Sequence, residues 1–95
     1  MPWPDWPQKA SHVRVARISK KQDVSGALKH LGSAIRAARL ELKISQEALA
    51  DAAGIDRSHM GKIERGERNV SLLNLLRVAD ALNVNASVLL ARCDL

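Results

Sequence analysis

Ninety-five residues with fifteen basic and ten acidic groups, net +5 at pH 7, amount to one small domain and a short arm. The composition is 46% hydrophobic with no Phe or Tyr, and the only aromatics are Trp3 and Trp6, so any core must be aliphatic. One cysteine, Cys93, excludes an internal disulfide and a multi-cysteine zinc site within the chain. No run is long enough for a membrane-spanning helix. The opening residues lack the apolar stretch of a secretory signal, which leads us to expect a cytoplasmic protein. The basic excess favours a polyanionic partner.

The chain divides near residue 25. All three prolines lie in the first seven residues, and residues 1–25 carry five basic groups against two acidic ones. This segment reads as a basic arm without enough apolar surface to fold alone. Within it, His12–Val15 alternates in polarity, the pattern of a short strand.

Residues 26–95 read as an all-α domain of five short helices. Leu28, Leu31, Ile35, Ala38 and Leu42 form one apolar stripe, predicting a helix over about 27–42. Ser45 is an N-cap, and Glu47 in the next turn suits the positive end of a helix over 46–53 that Gly54 stops. Asp56 caps a third helix over 57–64, which Gly66 ends. Ser71 caps a fourth, with Leu72, Leu75, Leu76, Ala79 and Leu82 as its expected buried stripe. Asn83 tolerates a left-handed position, and Asn85 opens a fifth helix over about 86–91.

Residues 46–65 carry the function. Two short helices meet at the turn containing Gly54. Leu49, Ala53, Ile55, Met60 and Ile63 are placed to bury against one another, and Ala50 sits where only a small side chain would let the helices approach. This is the layout of a helix-turn-helix, whose second helix enters the DNA major groove.

The residues Leu31-Gly32, Ile35-Arg36, Arg39, Ile44-Ser45-Gln46-Glu47, Leu49-Ala50 and Ala53-Gly54 resemble the Cro/phage-repressor helix-turn-helix family, also called the xenobiotic response element family. Ile63–Asn69, Ser71-Leu72, Leu75-Leu76 and Ala79 to Val84 are similar to its second half. The resemblance covers about residues 28–91. It implies a lambda-repressor-like domain and a bacterial or phage transcription regulator at the nucleoid, binding operator DNA as a homodimer without a cofactor. Four positions depart from the family pattern. Lys43 stands where glycine is common, Val70 where proline is, Gly61 where a larger residue is usual, and Val88 at an often polar site.

Arg57, Ser58, Gly61, Lys62 and Arg65 share one face of the third helix. By resemblance, Arg57, Ser58 and Lys62 match base-reading positions, and their chemistry suits it: Arg and Lys reach guanine acceptors, and Ser serves several bases. Gln46 and the helix end it opens match a phosphate clasp. Arg68 and Asn69 match a second phosphate contact, with Arg65 assisting, and Arg36 reads as a surface charge. His59 reads as packed at the helix edge. Arg39 and Glu64 match an ion pair that sets the tilt of the recognition helix. Gly61 has two readings: close backbone approach to the duplex, or tolerated drift. Val88, Leu89 and Leu90, with Leu73 and Leu95, are the apolar residues left for a dimer interface, near which Cys93 would lie as an incidental thiol.

Two rival functions stand beside this one. An antitoxin shares this fold and would add a toxin partner, for which Trp3-Pro4-Asp5-Trp6 is a possible anchor; a lead-in without a partner reads equally well. An interaction-only module is disfavoured by the presence of Arg57 and Lys62. His12, His30, His59 and Cys93 lack metal-ligand spacing, and no catalytic triad or phosphate loop is present, so enzyme chemistry is not expected.

Overall fold

The computed structural model describes residues 26–93. The arm, its His12–Val15 segment and Leu95 lie outside them. Five helices follow in order: α1 Ala27–Glu41, α2 Gln46–Ala53, α3 Arg57–Glu64, α4 Leu72–Ala81 and α5 Ala86–Arg92. No strand occurs among the described residues.

The helix ends follow from local chemistry. The Ser45 hydroxyl accepts from the Ala48 N–H at 3.0 Å, and the Ser71 hydroxyl accepts from the Asn74 N–H at 3.1 Å. Each satisfies a first-turn donor that has no partner within its helix. Asn85 occupies the cap position of α5 without a side-chain cap bond. Gly54 ends α2 at φ 67, a conformation that costs glycine little. Lys43 takes the same left-handed region at φ 58 after α1, and Asn83 does so at φ 57 after α4. The lysine therefore occupies a glycine-like backbone, a substitution that costs stability.

The core is one aliphatic cluster. Leu31, Ala34, Ile35 and Ala38 of α1 meet Leu49, Ala50 and Ala53 of α2, then Ile55, Met60 and Ile63. Leu75, Val78, Ala79 and Leu82 close it from α4, and Leu89 and Cys93 from α5. Ile44, Val70, Val84 and Ala86 pack on its rim.

Several expectations need correction. Leu72 and Leu76, placed in the α4 stripe from sequence, are exposed, and so is Leu42 of the α1 stripe. The buried line of α4 is Leu75, Val78, Ala79 and Leu82. A helix only ten residues long with seven apolar positions offers two overlapping stripes, and spacing alone does not choose between them. Leu89, expected at a dimer surface, is 0% exposed within the single chain; it fills the core instead. Cys93 is likewise a packing residue. Its thiol donates to the Leu89 carbonyl at 3.1 Å, and burial pushes its pKa up.

Candidate nucleic-acid interface

The α2–turn–α3 unit depends on small residues at two crossings. Ala50 of α2 is buried in the core. Gly32 of α1 matters as much. A Cβ there would overlap the carbonyl oxygens of Ile63 and Glu64 at the end of α3. Its position inside a helix, where glycine is costly, was the available signal, and the sequence reading gave it no role. With α1 pressed this closely on α3, the orientation of the recognition helix is tied to the body of the domain.

A buried ion pair holds the same junction. Arg39 Nε donates to Glu64 Oε2 at 2.8 Å, and Arg39 Nη2 donates to Glu64 Oε1 at 3.0 Å. Arg39 Nη1 donates to the Ile44 carbonyl at 3.1 Å. The two side chains are 11% and 3% exposed. The bond to Glu64 raises the Arg39 pKa further against the opposing effect of burial. A two-toothed pair of this kind fixes direction as well as distance, which suits the tilt-setting role expected of it. Gln46 extends the network: its Nε2 donates to Glu64 Oε1 at 3.2 Å. The sequence reading gave Gln46 a phosphate contact and did not anticipate this bond.

The outer face of α3 is different. Gln46, Arg57, Ser58, Gly61, Lys62 and Arg65 line a shallow hollow of about 280 Å³. The structure thus gathers the three expected base-reading residues with two of the four expected phosphate-contacting ones. Arg68 and Asn69 are exposed in the loop after α3. Arg36 is exposed on α1, and His59 is half-buried at the edge of α3.

The hydrogen bonds on this face grade its residues. Asp56 caps α3 by accepting from the Ser58 N–H at 3.2 Å, and it also accepts from the Ser58 hydroxyl. The Ser58 hydroxyl first, and then the backbone amides of His59 and Ser58, donate to the Asp56 carboxylate and hold it below its ordinary pKa. With that proton committed, the Ser58 oxygen remains an acceptor. Arg65 Nε donates to Glu67 Oε2 at 2.7 Å, and this bond lowers the Glu67 pKa. Both partners are at least half exposed, so the pair is weak and leaves Arg65 free to change partners at little cost.

A helix-turn-helix family model matches residues 35–89. The chain belongs to this family. It is a DNA-binding transcription regulator by fold and kinship. It is 42% identical over 62 residues to control protein C.SmaI of Serratia marcescens, an alignment spanning 65% of this chain and 74% of that protein. It is 41% identical over 59 residues to the immunity repressor protein of Bacillus phage phi105, spanning 62% of this chain and 41% of the repressor. Among solved structures it is similar to the restriction-modification controller protein C.AhdI from Aeromonas hydrophila. That likeness has 45% identity and a TM-score of 0.64, covering 65% of this chain and 94% of that one. These relatives are controllers and a repressor, and they give the antitoxin alternative and its toxin partner no support. No helix among the described residues is long and apolar enough to cross a membrane.

Proposed function

We propose that this regulator binds a pseudo-palindromic operator as a homodimer, with α3 of each protomer in the major groove. The observation that carries the reading is the contrast on α3: Glu64 is locked to Arg39 inside, while Arg57 and Lys62 project outward from the same short helix. Arg57, Ser58 and Lys62 read base edges in this account. The N-terminus of α2 at Gln46, together with Arg65, Arg68 and Asn69, grips phosphates and carries no sequence information. The protein works at the bacterial nucleoid as a binding protein, without catalysis.

The dimer surface is revised by the burial pattern. With Leu89 in the core, the exposed large apolar side chains of these two helices are Leu72, Leu73 and Leu76 of α4 with Val88 and Leu90 of α5. Leu72 and Leu76 lie one turn apart on a common stripe. Exposed apolar side chains that gather into one patch usually mark an interface. A two-fold axis there would set two recognition helices about 34 Å apart, one turn of DNA.

Titration of a selected operator at rising salt tests the reading. Affinity should fall steeply, because each phosphate contact releases a counterion. Removing residues 1–25 should flatten that slope and preserve operator preference. Binding that is insensitive to salt, or that shows no preferred sequence, would contradict it.

A further inference from the structure

The residues of the α3 hollow differ in what they can offer a base. Gln46 and Arg65 lie over Gly61, where a Cβ would meet Gln46 Oε1 at 3.2 Å and Arg65 Nη1 at 3.1 Å. Their own bonds run to Glu64 and Glu67, and the missing side chain of Gly61 leaves room for both. Arg57, Lys62 and Arg65 only donate hydrogen bonds. Ser58 is exposed beside them, and a free serine hydroxyl either donates or accepts. Asp56 removes that choice. Its Oδ2 meets both the Ser58 N–H and the Ser58 hydroxyl, in an exposed pair. An ionised carboxylate only accepts, so the single hydroxyl hydrogen points at Asp56. The bonds that lower the Asp56 pKa keep it ionised at neutral pH. A hydrogen bond to a charged group is about twice as strong as a neutral one. A base that needed the Ser58 hydrogen would have to break the stronger bond to get it.

What Ser58 Oγ has left is lone pairs. The major groove offers donors to them in the exocyclic amino groups of adenine and cytosine, whereas guanine O6 and N7 and thymine O4 are acceptors. We propose that Asp56 sets the base preference of Ser58: by holding the hydroxyl hydrogen, it makes Ser58 Oγ accept from the amino group of adenine or cytosine and refuse guanine and thymine. Asp56 touches no base in this account. It is a positioning residue that acts through the serine hydroxyl. The inference rests on the base-reading role proposed above for Ser58 and narrows it. One neutral hydrogen bond sets preference at that position by roughly two- to tenfold.

The test is selection of bound sequences from a random duplex pool by the full chain, by Ser58→Ala and by Asp56→Asn. Ser58→Ala should relax one position per half-site, and the wild type should hold adenine or cytosine there. Asparagine caps a helix as well as aspartate does, so the thermal melt of Asp56→Asn should hold near neutral pH. Its amide can donate to Ser58 Oγ, which frees the hydroxyl hydrogen for a base. Asp56→Asn should therefore admit guanine or thymine at that same position and leave the other positions unchanged. An operator carrying a base analogue without the amino group there should cost the wild type the two- to tenfold factor and cost Ser58→Ala nothing further. Guanine or thymine at that position in the wild type would show Ser58 donating and overturn the proposal. So would an Asp56→Asn selection identical to the wild type's, or one that loses preference at every position, which would mean that Asp56 acts only by capping α3. An unchanged selected sequence in Ser58→Ala overturns it equally, while leaving the DNA-binding function intact. A wild type that selects no sequence at all refutes that function itself.

Discussion

The two sides of α3 carry charge under opposite conditions. On the inner side, Glu64 is almost fully buried and takes two bonds from Arg39 and one from Gln46. On the outer side, Arg65 pairs only with an exposed Glu67, and Arg57 and Lys62 line an open hollow. Buried charge is tolerable only when paired and is costly to disturb; exposed charge is held weakly and remains free to change partners. In the function we propose, the inner pair is a fixed joint that aims the helix, and the outer cations are the surface that meets DNA.

Breaking the joint should have the largest effect. Glu64→Ala leaves Arg39 buried without its partner and should cost about 3–5 kcal/mol in urea denaturation. An apolar double replacement, Arg39→Met with Glu64→Leu, should recover much of that stability while operator binding stays weak. Full recovery of both would mean that the pair has no role in aiming α3.

The dimer surface comes next. A Leu72→Asp/Leu76→Asp variant should sediment as a monomer at micromolar concentration. It should lose roughly 100-fold in affinity for the full operator, because two linked half-sites become one. Both leucines are exposed, at 71% and 48%, so the fold should survive. A dimer that persists would move the interface elsewhere.

Lys43 should give a smaller change of opposite sign. Its φ of 58 suits glycine, so Lys43→Gly should raise stability by up to about 1 kcal/mol, read from the denaturation midpoint. It does not line the α3 hollow, so the preferred operator sequence should not change. The smallest effect concerns pH. The Asp56 pKa is lowered from 3.8 on folding. Its contribution to stability is therefore full above that ordinary value and is lost as pH falls through the lower folded value. Acid melts of Asp56→Asn should lack this component of the pH dependence, and identical acid profiles for the two proteins would show that the cap is not used.

The helix boundaries were legible because capping is local chemistry: Ser45, Asp56 and Ser71 each stand immediately before a helix, as their hydroxyl or carboxylate oxygens require. The Arg39–Glu64 pair was legible only through resemblance, since its partners are 25 residues apart and no spacing rule connects them. What failed was the choice among apolar residues that compete for one core. Leu72, Leu76 and Leu89 are chemically alike, and only the packing of α4 and α5 against α1 and α2 sends Leu89 inward and leaves the other two in solvent. Gly32 and Gly61 escaped a firm reading for a related reason. A missing side chain reveals its use only when the atoms that occupy its space are known.

The division of labour on α3 can be tested directly by binding Arg57→Ala, Lys62→Ala and Arg68→Ala to a selected operator and to random DNA of equal length. Arg57→Ala and Lys62→Ala should each cost about 1–3 kcal/mol on the operator and relax preference at particular base pairs, with far smaller losses on random DNA. Arg68→Ala should weaken both DNAs nearly alike. Equal losses on both DNAs for all three variants would show that the outer face of α3 grips the backbone and reads no bases, contradicting the account at its centre.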